Sequence, residues 1–279
     1  MFSSIFSPYS INVLTNQISI SFLLYSYLIP FFTAISFGTF LFIKNKKLSV
    51  VYLFILCITF STFIFLDLMN WLPFADAVIT MSCWSVVDIF STSFFILSYW
   101  FLYSFIKDHD LPLWQKIATA CTLLPTLVVT ALSININTFY APSPMPLDNT
   151  LNANYLSLLE LAYILLVVTF TIVEYVKERD SGNKKKIFLV GAGVFVFLFI
   201  FFFAYVIVNF ILTMGLFDLA KTPGFVYNIS LYALLGMPIL LGFLGYLIAK
   251  YQAFDVKLIK SIVYMITLMV ILFIGLFLV

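Results

Sequence analysis

The chain has 279 residues, of which 63% are hydrophobic and only 9% charged. Soluble domains carry about 25% charged residues, so this composition excludes a water-soluble globule. The formal net charge of +2 excludes the broad basic footprint of a nucleic-acid-binding protein, and no nucleic-acid partner is expected.

The first 20 residues contain no Lys or Arg and so lack the positive start of a cleavable signal peptide. Residues 1–19 read as an extracytoplasmic N-terminus. A bilayer core takes about 20 apolar residues per helix. On that length, spans are predicted at 20–43, 48–66, 84–106, 117–134, 154–176, 187–212, 226–249 and 261–279.

Lys44, Lys46 and Lys47 follow the first span, and Lys107 and Lys116 follow the third. Lys177, Arg179 and Lys184–Lys186 follow the fifth. Lys250, Lys257 and Lys260 follow the seventh. Only Lys221 falls in the opposite set of connections. Positive charge stays inside, so the N-terminus is expected outside and these four connections in the cytoplasm of a cell whose inner membrane holds the chain. The stretch 135–153, with Pro142, Pro144 and Pro146, reads as an irregular outer loop.

An ionisable residue within a span costs about 2.5–3.5 kcal/mol, so each needs a reason. In the third span Ser85, Asp88, Thr92 and Tyr99 fall within about 60° of one another, forming one polar stripe. In the fifth, Glu160, Tyr163, Thr171 and Glu174 share a face, with Glu174 placed to pair with Lys177 or to reach water. No Lys or Arg lies within a span to pair with Asp88 or Glu160. One reading is a ligand-sensing pocket open to the outer side, lined by Asp88, Glu160, Ser85, Thr92, Tyr163, Trp84 and Asp67, with Trp71 nearby. The other is that both acids are satisfied by neighbouring helices or by water.

Cys57, Cys83 and Cys121 have no metal-ligand spacing and read as packing residues; no metal or cofactor is expected. "HDLP" at 109–112 lacks the basic residue of a kinase phosphoacceptor box and sits in a short connection. "GAG" at 191–193 follows no strand and is no nucleotide fingerprint. Asn209 is placed to cap or cross-link helices. Gly236 and Pro238 are expected to bend the seventh span. Gly245 and Ala249 permit close helix approach. A rhodopsin is excluded because the seventh span has no mid-depth lysine. A membrane hydrolase is unsupported because His109 is the only histidine and no catalytic constellation stands out, so no catalytic residue is assigned.

The segment "KYQAFDVKLIKSIVY", residues 250–264, follows the last of the seven spans. Its Lys250, Tyr251, Phe254, Asp255, Val256, Lys260 and Tyr264 resemble the close of the N-terminal seven-transmembrane sensor region of bacterial histidine kinases. Gln252 departs from the basic residue common there. The resemblance implies a sensory input that passes a signal to a cytoplasmic kinase- or cyclase-type output domain in cis. Pro238, Lys250, Tyr251, Phe254 and Asp255 would then transmit it.

The expected architecture is all-α, a polytopic membrane helix bundle. Seven spans form a sensor bundle over 20–249, a cytoplasmic connector follows over 250–260, and an eighth apolar helix covers 261–279. That helix ends without a polar flank, which reads as a truncation, and it would carry the chain back outside. The expected partners are the lipid bilayer, an extracytoplasmic or membrane-borne ligand, the output domain and a second copy in a homodimer. A cation- or proton-coupled small-solute transporter is the alternative. It lacks, on the sequence, a broken helix at mid-depth with a companion in the other half. A structural membrane protein without ligand is the third option.

Overall fold

The computed structural model describes residues 20–71, 77–139, 146–148, 150–213, 234 and 236–251. The described helices are α1 (Ile20–Lys44), α2 (Leu48–Trp71), α3 (Ala77–Lys107), α4 (Leu113–Cys121), α5 (Leu124–Ala131), α6 (Thr150–Lys177), α7 (Ser181–Thr213) and α8 (Gly236–Tyr251). Five of them (α1, α2, α3, α6 and α7) are long and apolar enough to cross a membrane. A helical bundle suited to a multi-pass membrane protein is therefore what the chain forms. The expected eighth span lies outside the described residues.

Most helices overrun their predicted spans, because polar end residues also complete helical turns. α7 begins at Ser181, which leaves only residues 178–180 as its connection from α6. Lys184–Lys186 thus stand on the helix, near its positive end. Asp180 offsets this: its carboxylate accepts the backbone N–H of Asn183 at 2.8 Å, and its carbonyl accepts that of Lys184 at 2.9 Å.

α2 packs between α1 and α3, α6 packs on α3 and α7, and α8 touches both α7 and α1, which closes the ring. The centre is phenylalanine. Phe60 and Phe63 of α2, Phe94 of α3, and Phe197 and Phe201 of α7 meet with ring centroids 5.0–6.5 Å apart, mostly edge to face. That geometry sets the positive edge of one ring against the negative face of the next. Lipid tails are as apolar as these rings, so close packing and not water exclusion must hold the helices together. Gly38 shows the same demand. A Cβ there would lie 2.8 Å from Cβ of Cys57, so only glycine allows α1 this near to α2.

The predicted fourth span is cut in two. Pro125 has no N–H to give to Cys121, so i−3 bonds at Thr122 and Leu123 bridge α4 to α5. The pair still keeps right-handed backbone at the break, with Thr122 at φ −67° and Leu123 at φ −79°. Over residues 113–131 it is about 28 Å long, near the thickness of a hydrocarbon core. Its apolar side chains, Trp114, Ile117, Leu124, Val128 and Leu132, are exposed on one face.

The predicted irregular outer loop is corrected. Ile136–Phe139 (β1) and Pro146–Asp148 (β2) pair antiparallel as a small hairpin with a register irregularity. Ile136, Thr138 and Phe139 are good strand formers. Pro146 is tolerated because a two-stranded ribbon is all edge. Pro238 falls in the first turn of α8, where a missing N–H costs no helical bond. Residues 226–233, against which the bend was expected, lie outside the described residues.

Candidate functional site

α3 and α6 run parallel, as their cross-links show in order. Asn152 Nδ2 donates to Asp88 Oδ2 at 3.1 Å, and Ser91 Oγ donates to Glu160 Oε1 at 3.3 Å. Further down, Phe170 stacks on Tyr103 with centroids 5.3 Å apart. At the far end Lys107 meets Glu174 at 2.5 Å, and Lys177 reaches the other oxygen of Glu174 at 3.5 Å.

Axial rise sets the depths. Asp88 lies about 28 Å along α3 from Lys107, and Glu160 about 25 Å along α6 from Lys177. A hydrocarbon core is about 30 Å thick. If the lysines mark one boundary, Asp88 stands at the other and Glu160 is slightly inside it.

The structure brings Asp88 and Glu160 to one seam and adds two partners that sequence periodicity missed, Ser91 and Asn152. Asn152 lies in the first turn of α6, before the predicted start of its span. Asn135, at the base of the hairpin, is buried and donates through Nδ2 to the Ser85 carbonyl at 3.0 Å. The other predicted residues are placed differently. The Ser85 hydroxyl donates to the Ser82 carbonyl and that of Thr92 to the Asp88 carbonyl, both within α3. Thr171 likewise donates to Val167. Trp84 is partly buried on α3. Asp67 accepts from Tyr27 of α1 at 2.6 Å, which ties it to the α1–α2 pair. Phe254 and Asp255, and the side chains of Trp71, Lys250 and Tyr251, lie outside the described residues.

Tyr163 faces the kinked pair. Its hydroxyl is 2.9 Å from Thr122 Oγ1 and donates to the Thr119 carbonyl at 3.2 Å. Tyr155 donates to the Thr122 carbonyl at 2.6 Å, and Trp100 of α3 donates to Thr119 Oγ1 at 2.9 Å. Tyrosines of α6 thus donate to the Thr119 and Thr122 carbonyls that flank the break before Pro125. The α4–α5 pair turns its hydroxyls towards the seam between α3 and α6 and its apolar face away from it. The absence of a broken helix, held against transport on the sequence, is corrected by this pair; a companion in the other half is not seen among the described residues.

At the opposite end Asp110 accepts from Tyr52 at 2.7 Å, from Lys116 at 2.5 Å and from the backbone of Leu111 at 2.8 Å. Burial pushes its carboxyl up, but the hydrogen bonds from Lys116 and Tyr52 outweigh this and hold it below the usual range. Burial likewise lowers Lys116, and its hydrogen bonds to Asp110 and Tyr52 outweigh that and raise it. A depressed carboxylate stabilises the fold above its unfolded pKa of about 3.9 and loses that contribution as pH falls through its folded value. Asp110 is 45% exposed, so the contribution is screened to less than about 1 kcal/mol. In acid thermal melts below about pH 4, Asp110→Asn is expected to flatten this small step. An undiminished step assigns it elsewhere.

His109 is exposed, with Nδ1 against the Asp110 carbonyl and its ring on Tyr103. No family model matches the chain, nor does any curated protein or solved structure.

Proposed function

We propose that the chain is the membrane-embedded sensing input module of a histidine-kinase-like or cyclase-like signalling protein. On this reading seven spans cover 20–249 with the N-terminus outside the inner membrane, and 261–279 forms an eighth. The observation that carries the proposal is the α3–α6 pair. The same two parallel helices hold the Asp88–Asn152 and Ser91–Glu160 contacts at one end and the Lys107–Glu174–Lys177 cluster at the other. A ligand that changes their spacing at the outer end changes it at the cytoplasmic end, because packed helices move as rigid elements. The lysine distribution and the segment 250–264 support the orientation and the output. Pro238, Lys250, Tyr251, Phe254 and Asp255 lie on the exit path.

The transporter reading is favoured by one observation, the kinked α4–α5 pair with its buried polar face. A fusion of a cytoplasmic kinase region after Lys260 separates the two. A sensor gives cytoplasmic kinase output that responds to the external medium and is blunted by Asp88→Asn or Glu160→Gln. Cation- or proton-driven solute flux in proteoliposomes, with fusion output insensitive to the medium, overturns the proposal in favour of transport.

A further inference from the structure

Residues 178–180 join α6 to α7, so the two helices run antiparallel. A Cβ at Gly191 would run into the Thr171 side chain, and the missing Cβ lets the helices touch there. One turn nearer the connection, the Tyr175 ring of α6 meets the Phe188 ring of α7 with centroids 6.3 Å apart. Lys184 sets its Nζ 5.5 Å from the centre of the same Tyr175 ring. Tyr175 is 41% exposed and Phe188 58%, so this contact lies on the outside of the bundle.

The cations beside it are not committed to acids. Lys177 is held by Glu174. The Glu178 carboxylate accepts the backbone N–H groups of Arg179 at 2.9 Å and Asp180 at 3.0 Å, and that of Asp180 accepts from Asn183. Among the described residues no carboxylate pairs with Arg179, Lys184 or Lys185. Arg179 and Lys185 are exposed. A ring face attracts the Lys184 ammonium but leaves its N–H donors for another group.

Apolar surface continues directly from these cations into the bilayer. Lys184, Phe188 and Phe195 fall within about 40° of one another on a helical wheel, and Lys185 stands about 60° from Phe188. Phe195 in turn stacks on Phe199 with centroids 5.4 Å apart. Lys184 and Phe195 are about 16 Å apart along α7, and one leaflet contributes about 15 Å of hydrocarbon. Tyr175 stands about 3 Å before the end of α6, at the depth where tyrosines favour the headgroup level. A soluble acidic peptide would match the cations and leave the aromatic strip uncovered. A lipid with an anionic head matches both.

We infer that Arg179, Lys184 and Lys185 bind the phosphate of an anionic phospholipid at the lysine-rich end of α6 and α7, with its acyl chain against Tyr175, Phe188 and Phe195. A choline head brings its own cation towards the lysines, whereas a glycerol head leaves the phosphate charge unopposed. Phosphatidylglycerol is therefore preferred over phosphatidylcholine. The site stands apart from the α3–α6 seam and holds under the sensing and the transport readings alike.

The test titrates the full chain in an uncharged detergent with either lipid, their acyl chains matched, and counts bound molecules by native mass spectrometry. The first phosphatidylglycerol is expected to bind about tenfold tighter than the first phosphatidylcholine. Lys184→Gln with Lys185→Gln should abolish that preference and leave phosphatidylcholine binding unchanged. Phe188→Ala should weaken both lipids and keep their ratio. Lys44→Gln with Lys46→Gln removes two charges near the end of α1 and should leave the preference intact. If the first pair lowers Tm in phosphatidylcholine, the exposed Lys185→Gln alone must still cost about threefold. No preference for phosphatidylglycerol overturns the inference, and so does an equal loss in both lysine pairs, which would assign the effect to general surface charge. Competition by glycerol 3-phosphate, a head without chains, overturns the assignment to a lipid. Lost output from the kinase fusion with lipid preference intact in the Lys184 and Lys185 variant gives the lysines to a protein partner and overturns it too.

Discussion

Phe94→Ala is expected to destabilise the bundle by about 3–5 kcal/mol, the range for a buried aromatic truncated to alanine. Phe94 is fully buried on α3. Its ring centroid lies 5.0 Å from Phe95 and Phe201, 5.6 Å from Phe63 and Phe197, and 6.2 Å from Phe60. It therefore joins three helices through one side chain. In lipid the loss comes from forfeited dispersion contacts and the cavity left behind, since transfer from water contributes little between spans. Phe94→Leu fills most of the space and should cost about 1.5 kcal/mol or less. Phe203, 49% exposed on α7, is the control: its alanine variant should stay within about 0.5 kcal/mol. Reversible unfolding in mixed micelles measures all three. A Phe94→Ala cost below about 1 kcal/mol would refute an aromatic centre at this position.

Lys107→Ala is expected to cost about 2 kcal/mol. Breaking a fully buried ion pair costs about 3–5 kcal/mol, but the Lys107 side chain is 32% exposed, so solvent screens part of it. What remains is the cost of Glu174, only 8% exposed, left to Lys177, whose side chain is 66% exposed and 3.5 Å away. The asymmetry makes the prediction sharp. Removing both charges with Lys107→Met and Glu174→Leu should recover most of the loss, because an apolar pair of similar size avoids desolvation altogether. A double-mutant cycle reads the coupling, and strict additivity would show that the two groups do not depend on each other. On the sensing reading the same lysine holds the cytoplasmic ends of α3 and α6 in register. Its removal should then also shift the basal output of the kinase fusion.

The positions of Asp88 and Glu160 were legible because a carboxylate in an apolar run stands out against its neighbours. Their partners were not. Ser91 and Asn152 are ordinary polar residues, and which of them meets a carboxylate depends on how far α3 is slid along α6. Asp67 looked like part of the same site because the second span was expected to place it at a similar depth. Helix order around the ring gave it to Tyr27 instead. The threonine face of the fourth span was written in its spacing, with Pro125 as a kink signal, but a threonine in a span usually bonds its own backbone and carries no message.

By itself the sequence determined that the chain forms long apolar helices suited to a bilayer, roughly where several of them lie, and near which helix ends the lysines gather. These are sums over local composition, and hydrophobic length and charge asymmetry act without knowledge of any neighbour. Tertiary structure decided what depends on relative rotation and register. It set the parallel α3–α6 pair, the phenylalanine centre, the hairpin whose base meets α3 at Ser85, and the kinked pair held by tyrosines of α6. A helix presents several faces of similar apolarity to lipid and to protein. Steric fit among Gly38, Cys57 and the phenylalanines chooses between them, and that choice brings Asn152 to Asp88 and Ser91 to Glu160.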